Sequence, residues 1–318
     1  MPERVVYISG QFVPESQATI SIFDSAVMLG DTATESTRTF KQQPFKLPEH
    51  IGRLYKSLKI MRIDPVLSPS EMLRVTLETA ERNYPCYGQD DSWIVHNVSR
   101  GEFHPAGDPS RPRRATVLIH TAPMNLDYWA EFYVRGCHAV TPPTRAMPAQ
   151  ALDPKVKNRS RLNYTLAELE VKLVDPRGQG IMLDLDGFLA ENKGGNFFVV
   201  QDGTVKTPPA WQALAGVTRQ TTLDMARQRG LPVQECPLQP YDVYTADEAF
   251  FTSTPYCLMP ATRFNGLEVG DGRVGPVARS LLDGWSEVAG YDIVDRALRQ
   301  LPHPLQQELL AERAATRP

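Results

Sequence analysis

Between residues 140 and 154 the chain reads VTPPTRAMPAQALDP, four prolines in fifteen residues. Proline fixes φ and offers no backbone N–H, so neither a helix interior nor a central strand runs through such a stretch. A chain of 318 residues is also long enough to build two cores. The sequence therefore predicts a break, with the junction just ahead of the proline run. A smaller N-terminal domain is expected over 1–128, a larger C-terminal domain over 129–295, and a tail over 296–318. The tail, rich in Gln, Arg and Ala, reads as a loose helix or a disordered end.

Periodicity fills in the two halves. RVVYISGQFVP alternates and turns at Gly10, a hairpin pattern, and TISIFD and STRTF read as strands. LPEHIGRLYKSLKIMRI sets Ile51, Leu54, Leu58 and Met61 at helical spacing. SPSEMLRVTLETAERNY opens with Ser68, Pro69 and Glu71, a capping box with proline at the first helical position. SWIVHNVSRG and ATVLIHTAP read as strands, and the polar loop EFHPAGDPSRPRR between them could reach over a cleft. Beyond the prolines come a helix in TLAELEVKLV and a strand cluster in GIMLDLDGFLAENKGGNFFVVQDGTVKT. A helix at GVTRQTTLDMARQRG, a strand at EAFFTSTP and a helix at GPVARSLLDGWSEVAG follow. Antiparallel connections outnumber βαβ units, so the expected fold class is α/β of the α+β kind, in two domains.

Composition excludes several function classes. Net charge is −3 and no long basic run is interleaved with aromatics, which argues against nucleic acid as a partner. No apolar stretch reaches the roughly 18 residues needed to span a bilayer, and the charged start MPERVVYISG lacks the apolar centre of a signal peptide. Cys86, Cys137, Cys236 and Cys257 are scattered without a CxxC, as expected of reduced thiols in a cytoplasmic protein. The six histidines show no metal-ligand spacing, so no metal site is expected.

GDGRVG, Gly270 to Gly275, satisfies GxGxxG ahead of a helix. A dinucleotide site needs a full strand of a parallel unit before it. Asn265-Gly266 marks a tight antiparallel hairpin there instead, so the motif reads as a turn feeding a helix and a nicotinamide oxidoreductase is disfavoured.

Other residues are better suited to carry chemistry. Lys155, Lys157, Arg159 and Arg161 alternate, and an extended run would set all four on one side. That stripe is a solvated loop edge, an anion-binding wall, or the frame of one special lysine. Glu191, in a glycine-bounded hairpin, is either a turn acid or a carboxylate that keeps a basic ring nitrogen protonated. Gly216, Val217 and Thr218 open a helix, with Thr218 an N-cap candidate; free N–H groups there bind oxyanions. Arg53 offers a two-pronged phosphate partner, and Thr252, Ser253 and Thr254 offer hydroxyls at a strand end. Together these supply an amine, an acid and an anion cradle, the set that pyridoxal phosphate requires.

From about residue 5 to 290 the chain resembles the class IV, fold type IV, pyridoxal-phosphate enzymes, which include branched-chain, D-amino-acid and (R)-amine transaminases and aminodeoxychorismate lyase. The motifs are ISIFD, EHIGRLYKS, DPKVKN, LDLDGFLAENKGGNFFVVQDGTVKTPP, LAGVTRQ, ADEAFFTSTP and GDGRVGPVARSLL. The resemblance puts the family's phosphate-binding arginine at Arg53, its Schiff-base lysine at Lys157 and its ring-nitrogen acid at Glu191. It puts the backbone phosphate clamp at Val217 and Thr218 and a further hydroxyl at Thr254. It implies an interdomain cofactor cleft, a homodimer, and a ping-pong transaminase acting on a small amine donor and a 2-oxo acid, with a lyase of the aminodeoxychorismate type as the alternative.

Four departures bear on substrate. Arg159 and Arg161 stand where the family has glycine or a short apolar residue. Leu162 replaces a cofactor-contacting tyrosine of the branched-chain enzymes, leaving Tyr164 displaced by two. Pro255 lacks the N–H with which that branch binds the substrate carboxylate. Arg38, which with Glu35 matches the branched-chain pattern in ATESTRTF, and Arg100 are the candidates to replace that contact, while SRGEFH looks nearer the D-amino-acid and amine branches.

Overall fold

A computed structural model describes residues 2–103 and 114–316; most of the EFHPAGDPSRPRR loop lies outside them. The chain forms two compact units, one of residues 1–124 with 156–161, the other of 125–155 with 162–318.

The first unit is one antiparallel sheet with two helices on one face. Its strands are β1 (Val5–Ile8), β2 (Gln11–Pro14), β3 (Thr32–Phe40), β4 (Gln43–Pro44), β5 (Ser92–Ser99) and β6 (Thr116–Pro123), in the order β2-β1-β6-β5-β3-β4. Its helices are α1 (Ser25–Leu29), α2 (Leu47–Met61) and α3 (Pro69–Asn83). The expected capping box on α3 is present, with Ser68 N–H donating to Glu71 at 2.7 Å. Alternation along β3 and β5 turns Ala33, Ile94 and Val98 toward Leu54, Leu58 and Met72 of α2 and α3, a dry core.

TISIFD is not a strand. Residues 19–24 turn instead, and Asp24 caps α1 by accepting from the Ala26 N–H at 2.8 Å. Its other oxygen accepts from Thr116 Oγ1 at 2.6 Å. Among the described residues the segment pairs only at its end, where Asp24 bridges Glu102 and the Phe23 carbonyl accepts from the Phe103 N–H, and Ile22 and Phe23 remain exposed.

The second unit is built on a mixed sheet. Its elements are α4 (Asp127–Ala130), α5 (Phe132–Arg135), β7 (Cys137–Val140), α6 (Leu162–Val174), β8 (Gln179–Gly180), β9 (Asn196–Gln201) and β10 (Thr204–Thr207). They continue with α7 (Val217–Gln228), β11 (Val233–Glu235), α8 (Pro240–Tyr244), β12 (Glu248–Ser253), β13 (Cys257–Phe264), β14 (Leu267–Glu268) and α9 (Pro276–Ala289). Strand order is β11-β10-β9-β12-β13-β7-β8, with β14 paired to β13. Phe250 stacks on Phe198 at 4.9 Å and Phe251 meets Phe197 edge-on at 4.8 Å, across the β12–β9 register. Residues 293–316 form α10 (Ile293–Leu298) and α11 (His303–Thr316), the latter burying Leu309.

The glycines of GDGRVG serve this packing. Asn265 and Gly266, both at positive φ, close the β13–β14 hairpin. A Cβ on Gly275 would stand 2.1 Å from Glu248 Cδ. The glycine lets that carboxylate accept from the Val277 and Ala278 N–H groups, each at 2.8 Å. The N-terminus of α9 is thus already filled by an anion of the chain itself, which leaves no place for a dinucleotide pyrophosphate.

Candidate active site

In the first unit, residues 156–161 lie along the open edge of β3. Asn158 bridges Ala33, the Thr34 N–H donates to the Lys157 carbonyl at 3.0 Å, and the Arg159 N–H donates to the Thr32 carbonyl at 2.9 Å. The Lys157 N–H donates to Ser57 Oγ of α2 at 3.1 Å. Only the stretch around Asn158 is extended, so the expected four-cation stripe does not form. Lys155 turns away to pair with Asp153 at 3.0 Å and is half exposed. Burial pushes the Lys157 amine down to about 7; Glu35 opposes this, while Arg161, Arg53 and Arg159 reinforce it. The two lysines therefore differ in kind: Lys157 is tied by its main chain to β3 and α2 and its amine is pushed down to about 7, whereas the Lys155 side chain is half exposed against Asp153.

Arg53 projects from α2 onto Glu35 of β3, with Nε donating to Oε2 and Nη2 to Oε1, both at 2.7 Å. His50 Nδ1 lies 3.1 Å from Oε1, and the Ser36 N–H donates to the same oxygen at 2.8 Å. Glu35 is fully buried. Burial raises its pKa, but Arg53 and His50 outweigh that and hold it well below the usual carboxylate range. The sequence showed Glu35 only as a pattern match and gave no sign of His50; a buried acid that orients the arginine is a long-range relation no local spacing reveals.

Arg38 and Arg100 sit elsewhere. Arg38 is buried 3.7 Å from Asp91, donates to the Thr39 carbonyl and lies 4.3 Å from the Phe40 ring centroid. Arg100 pairs with Asp31 at 2.7 Å and donates to the Met61 and Arg62 carbonyls, closing the C-terminal end of α2. Both guanidinium groups are engaged by the chain itself.

In the second unit Glu191 is buried. Tyr164 Oη of α6 donates to its Oε1 and the Leu214 N–H to its Oε2 at 2.8 Å. Tyr164, displaced in the sequence pattern, thus reaches the acid. Two residues beyond Leu214, Gly216 caps α7, where a Cβ would stand 2.3 Å from Asn196 Oδ1. Thr218 is not the N-cap, as it lies inside the first turn; no side chain caps α7 at all. Val217 and Thr218 therefore offer N–H groups of the kind that Glu248 occupies on α9. Thr254 follows β12, whose end packs on the turn after Glu191: Ser253 Oγ donates to the Gly194 carbonyl. Thr252 Oγ1 is buried with no hydrogen-bond partner. An uncapped helix start, an orphaned hydroxyl and a firmly held carboxylate fit a phosphorylated pyridine ring.

Tyr164→Phe removes one of Glu191's two donors. Loss of a hydrogen bond to a charged group is worth about 1.5–3 kcal/mol. The expected result is a shift in the visible absorption of the holoenzyme with pH, with an unchanged far-UV circular dichroism spectrum and a melting temperature lower by a few degrees.

Residues 32–264 match the model of the amino-transferase class IV family. A putative branched-chain-amino-acid aminotransferase of Methanocaldococcus jannaschii is 34% identical over 284 residues, 89% of this chain and 96% of that protein. The branched-chain-amino-acid aminotransferase of Escherichia coli K12 is 27% identical, covering 87% and 90%. Among solved structures, the T.th. branched-chain amino acid aminotransferase with pyridoxamine 5′-phosphate superposes with a TM-score of 0.81 at 27% identity, covering 91% and 95%. The chain belongs to the class IV aminotransferases, and it is an aminotransferase.

Proposed function

We propose that Lys157 is the residue that binds pyridoxal 5′-phosphate covalently and that the amino group moved is that of a branched-chain amino acid, delivered to a 2-oxo acid. When bound, the cofactor supplies an aldehyde to accept the amino group and a protonated ring to withdraw electrons from the substrate Cα. The observation that carries this reading is the Lys157 amine, pushed down to about 7 beside a main chain fixed on both sides. Neutral above that pH, it is the nucleophile for attachment and, once released, the base that takes the proton from the substrate Cα. Glu191, gripped by Tyr164 and Leu214, holds the proton on the ring nitrogen. For the phosphate, the first unit offers Arg53, aimed by Glu35, and the second offers the Val217 and Thr218 amides and the Thr254 hydroxyl.

The branched-chain assignment is supported by the names of the relatives, and it predicts the outcome of a donor panel. L-Leucine with 2-oxoglutarate should turn over; D-alanine and (R)-1-phenylethylamine should not. Turnover of the amine alone would overturn it.

A homodimer is supported by exposed apolar side chains in each unit. Ile22, Val27 and Leu29 are 70%, 56% and 56% exposed, and Leu162, Leu166, Leu169 and Leu173 form an exposed stripe along α6. Sedimentation equilibrium should give twice the chain mass at micromolar concentration, and a monomer would refute the dimer. All four cysteines are unpaired, in keeping with a cytoplasmic location. Among the described residues no helix is long and apolar enough to cross a membrane, and no group of His, Cys, Asp and Glu could hold a metal.

A further inference from the structure

We infer that Arg159 is a specificity-determining residue that binds a carboxylate of the substrate. This rests on the assignment of Lys157 and asks what the arginine two residues away does.

The bridge at Asn158 fixes the geometry. Asn158 pairs with Ala33 and so shares its face, which sets Arg159, the next residue, on the other one. His96 of β5 faces α3, where its Nε2 meets Thr76 Oγ1 at 2.8 Å, so its neighbour Asn97 faces the other way, away from the helices. Arg159 lies on that outer face, donating from Nε to Asn97 Oδ1 at 2.7 Å. This bond orients the guanidinium through its inner nitrogen. The two terminal nitrogens, the pair that matches a carboxylate fork, make no hydrogen bond or ion pair among the described residues.

A second polar group on the same face lacks a partner. His120 of β6 pairs with Val95, which places it beside Asn97 on the outer face. Its Nδ1 is buried without a hydrogen-bond partner. Burial pushes its pKa down and Arg159 pushes it further, so the ring stays neutral there, with its tautomer free to donate. An oriented fork next to a neutral, unpartnered imidazole is a built anion site. Arg159 is two residues from Lys157 and its charge is among those that act on that amine, which is where the carboxylate of an amino acid or 2-oxo acid comes.

Pro255 has no N–H to offer a carboxylate, and Arg38 and Arg100 are engaged within the first unit. Arg159, unlike Arg38 and Arg100, keeps both terminal nitrogens without a partner among the described residues. The chemistry is shared by the α-carboxylate, present in every donor and acceptor, and by the second carboxylate of a dicarboxylic acceptor such as 2-oxoglutarate.

The test is Arg159→Gln, with Arg159→Lys as the conservative variant, as holoenzyme. The acceptor KM is measured with 4-methyl-2-oxopentanoate and with 2-oxoglutarate, and binding of unreactive 4-methylvaleric acid and glutarate is measured by calorimetry. Loss of a two-pronged charged contact should raise KM and dissociation constant about 10- to 100-fold, and Arg159→Lys should recover part of that. A rise for both acceptors assigns the α-carboxylate; a rise for 2-oxoglutarate and glutarate alone assigns the distal one. Unchanged constants for both, or a fall in kcat alone with a shifted pH profile, overturn the inference, since the arginine would then act only on the lysine. Borohydride trapping and peptide mapping of the same samples keep the two readings separate. A tag at Lys157 with unchanged binding sinks only the role of Arg159; a tag elsewhere sinks the assignment of Lys157.

Discussion

Lys157→Ala is expected to lower leucine transamination by about a thousandfold or more, the scale of losing a positioned nucleophile and base together. Borohydride should leave no pyridoxyl tag on the variant, whereas wild type carries it at 157. Lys155→Ala should keep activity within about twofold, because that side chain is half exposed and paired only with Asp153. The pH dependence has a definite sign. In the unfolded chain the amine titrates near 10.4; in the fold it titrates at about 7. Between those values the unfolded state binds more protons, so this group makes the apoenzyme more stable as pH rises from 7 towards 10. Lys157→Ala should therefore raise the apoenzyme's melting temperature at pH 7 and flatten its rise with pH. Wild-type apoenzyme should take up cofactor at a rate that climbs through pH 7 and levels off above it. A rate independent of pH between 6 and 8 would contradict a depressed amine.

Glu35→Ala should be the most damaging single change to stability in the first unit. It strands Arg53 and His50 against a buried position where four donors now meet one carboxylate. Removing one partner of a buried, hydrogen-bonded charge pair costs about 3–5 kcal/mol. Chemical denaturation should show that loss as a lower midpoint. Glu35→Gln, which keeps shape and some hydrogen bonds, should fold and yet hold the cofactor phosphate more weakly, read as a higher dissociation constant on reconstitution. The carboxylate's depressed pKa makes its contribution present above the unfolded value of about 4.3 and lost as pH falls through the folded value. Wild type should thus lose stability in acid more steeply than Glu35→Gln. Equal acid profiles would mean that the pair contributes nothing.

Some of this architecture can be read without coordinates. The alternation in RVVYISGQFVP, SWIVHNVSRG and ATVLIHTAP marks strands because one face of each is apolar, and Ser68-Pro69-Ser70-Glu71 marks a helix start because its partners are three residues apart. TISIFD misleads for the same reason: alternation records which side chains are apolar and says nothing of whether a neighbouring strand exists. The candidate residues divide similarly. Lys157, Glu191 and Arg53 stand out by motif, whereas Glu35 and Tyr164 take their roles from partners 18 and 27 residues away. Arg38 and Arg100 look available in the sequence because a charge shows its sign there and not its partner, Asp91 or Asp31. Thr218 reads as a cap because threonine favours that position, but the crowding of Asn196 against residue 216 gives the place to glycine.

The return of residues 156–161 to the first unit constrains how these proteins can be cut and recombined. A fragment ending at the first crossing would expose the backbone of Thr32–Thr34 as a sticky margin, inviting self-association. A chimaera that exchanges residues 1–124 with a relative would seat its host's lysine on a foreign border strand. Shuffled libraries that carry the hexapeptide along with the first unit should express as folded protein more often than those that leave it behind.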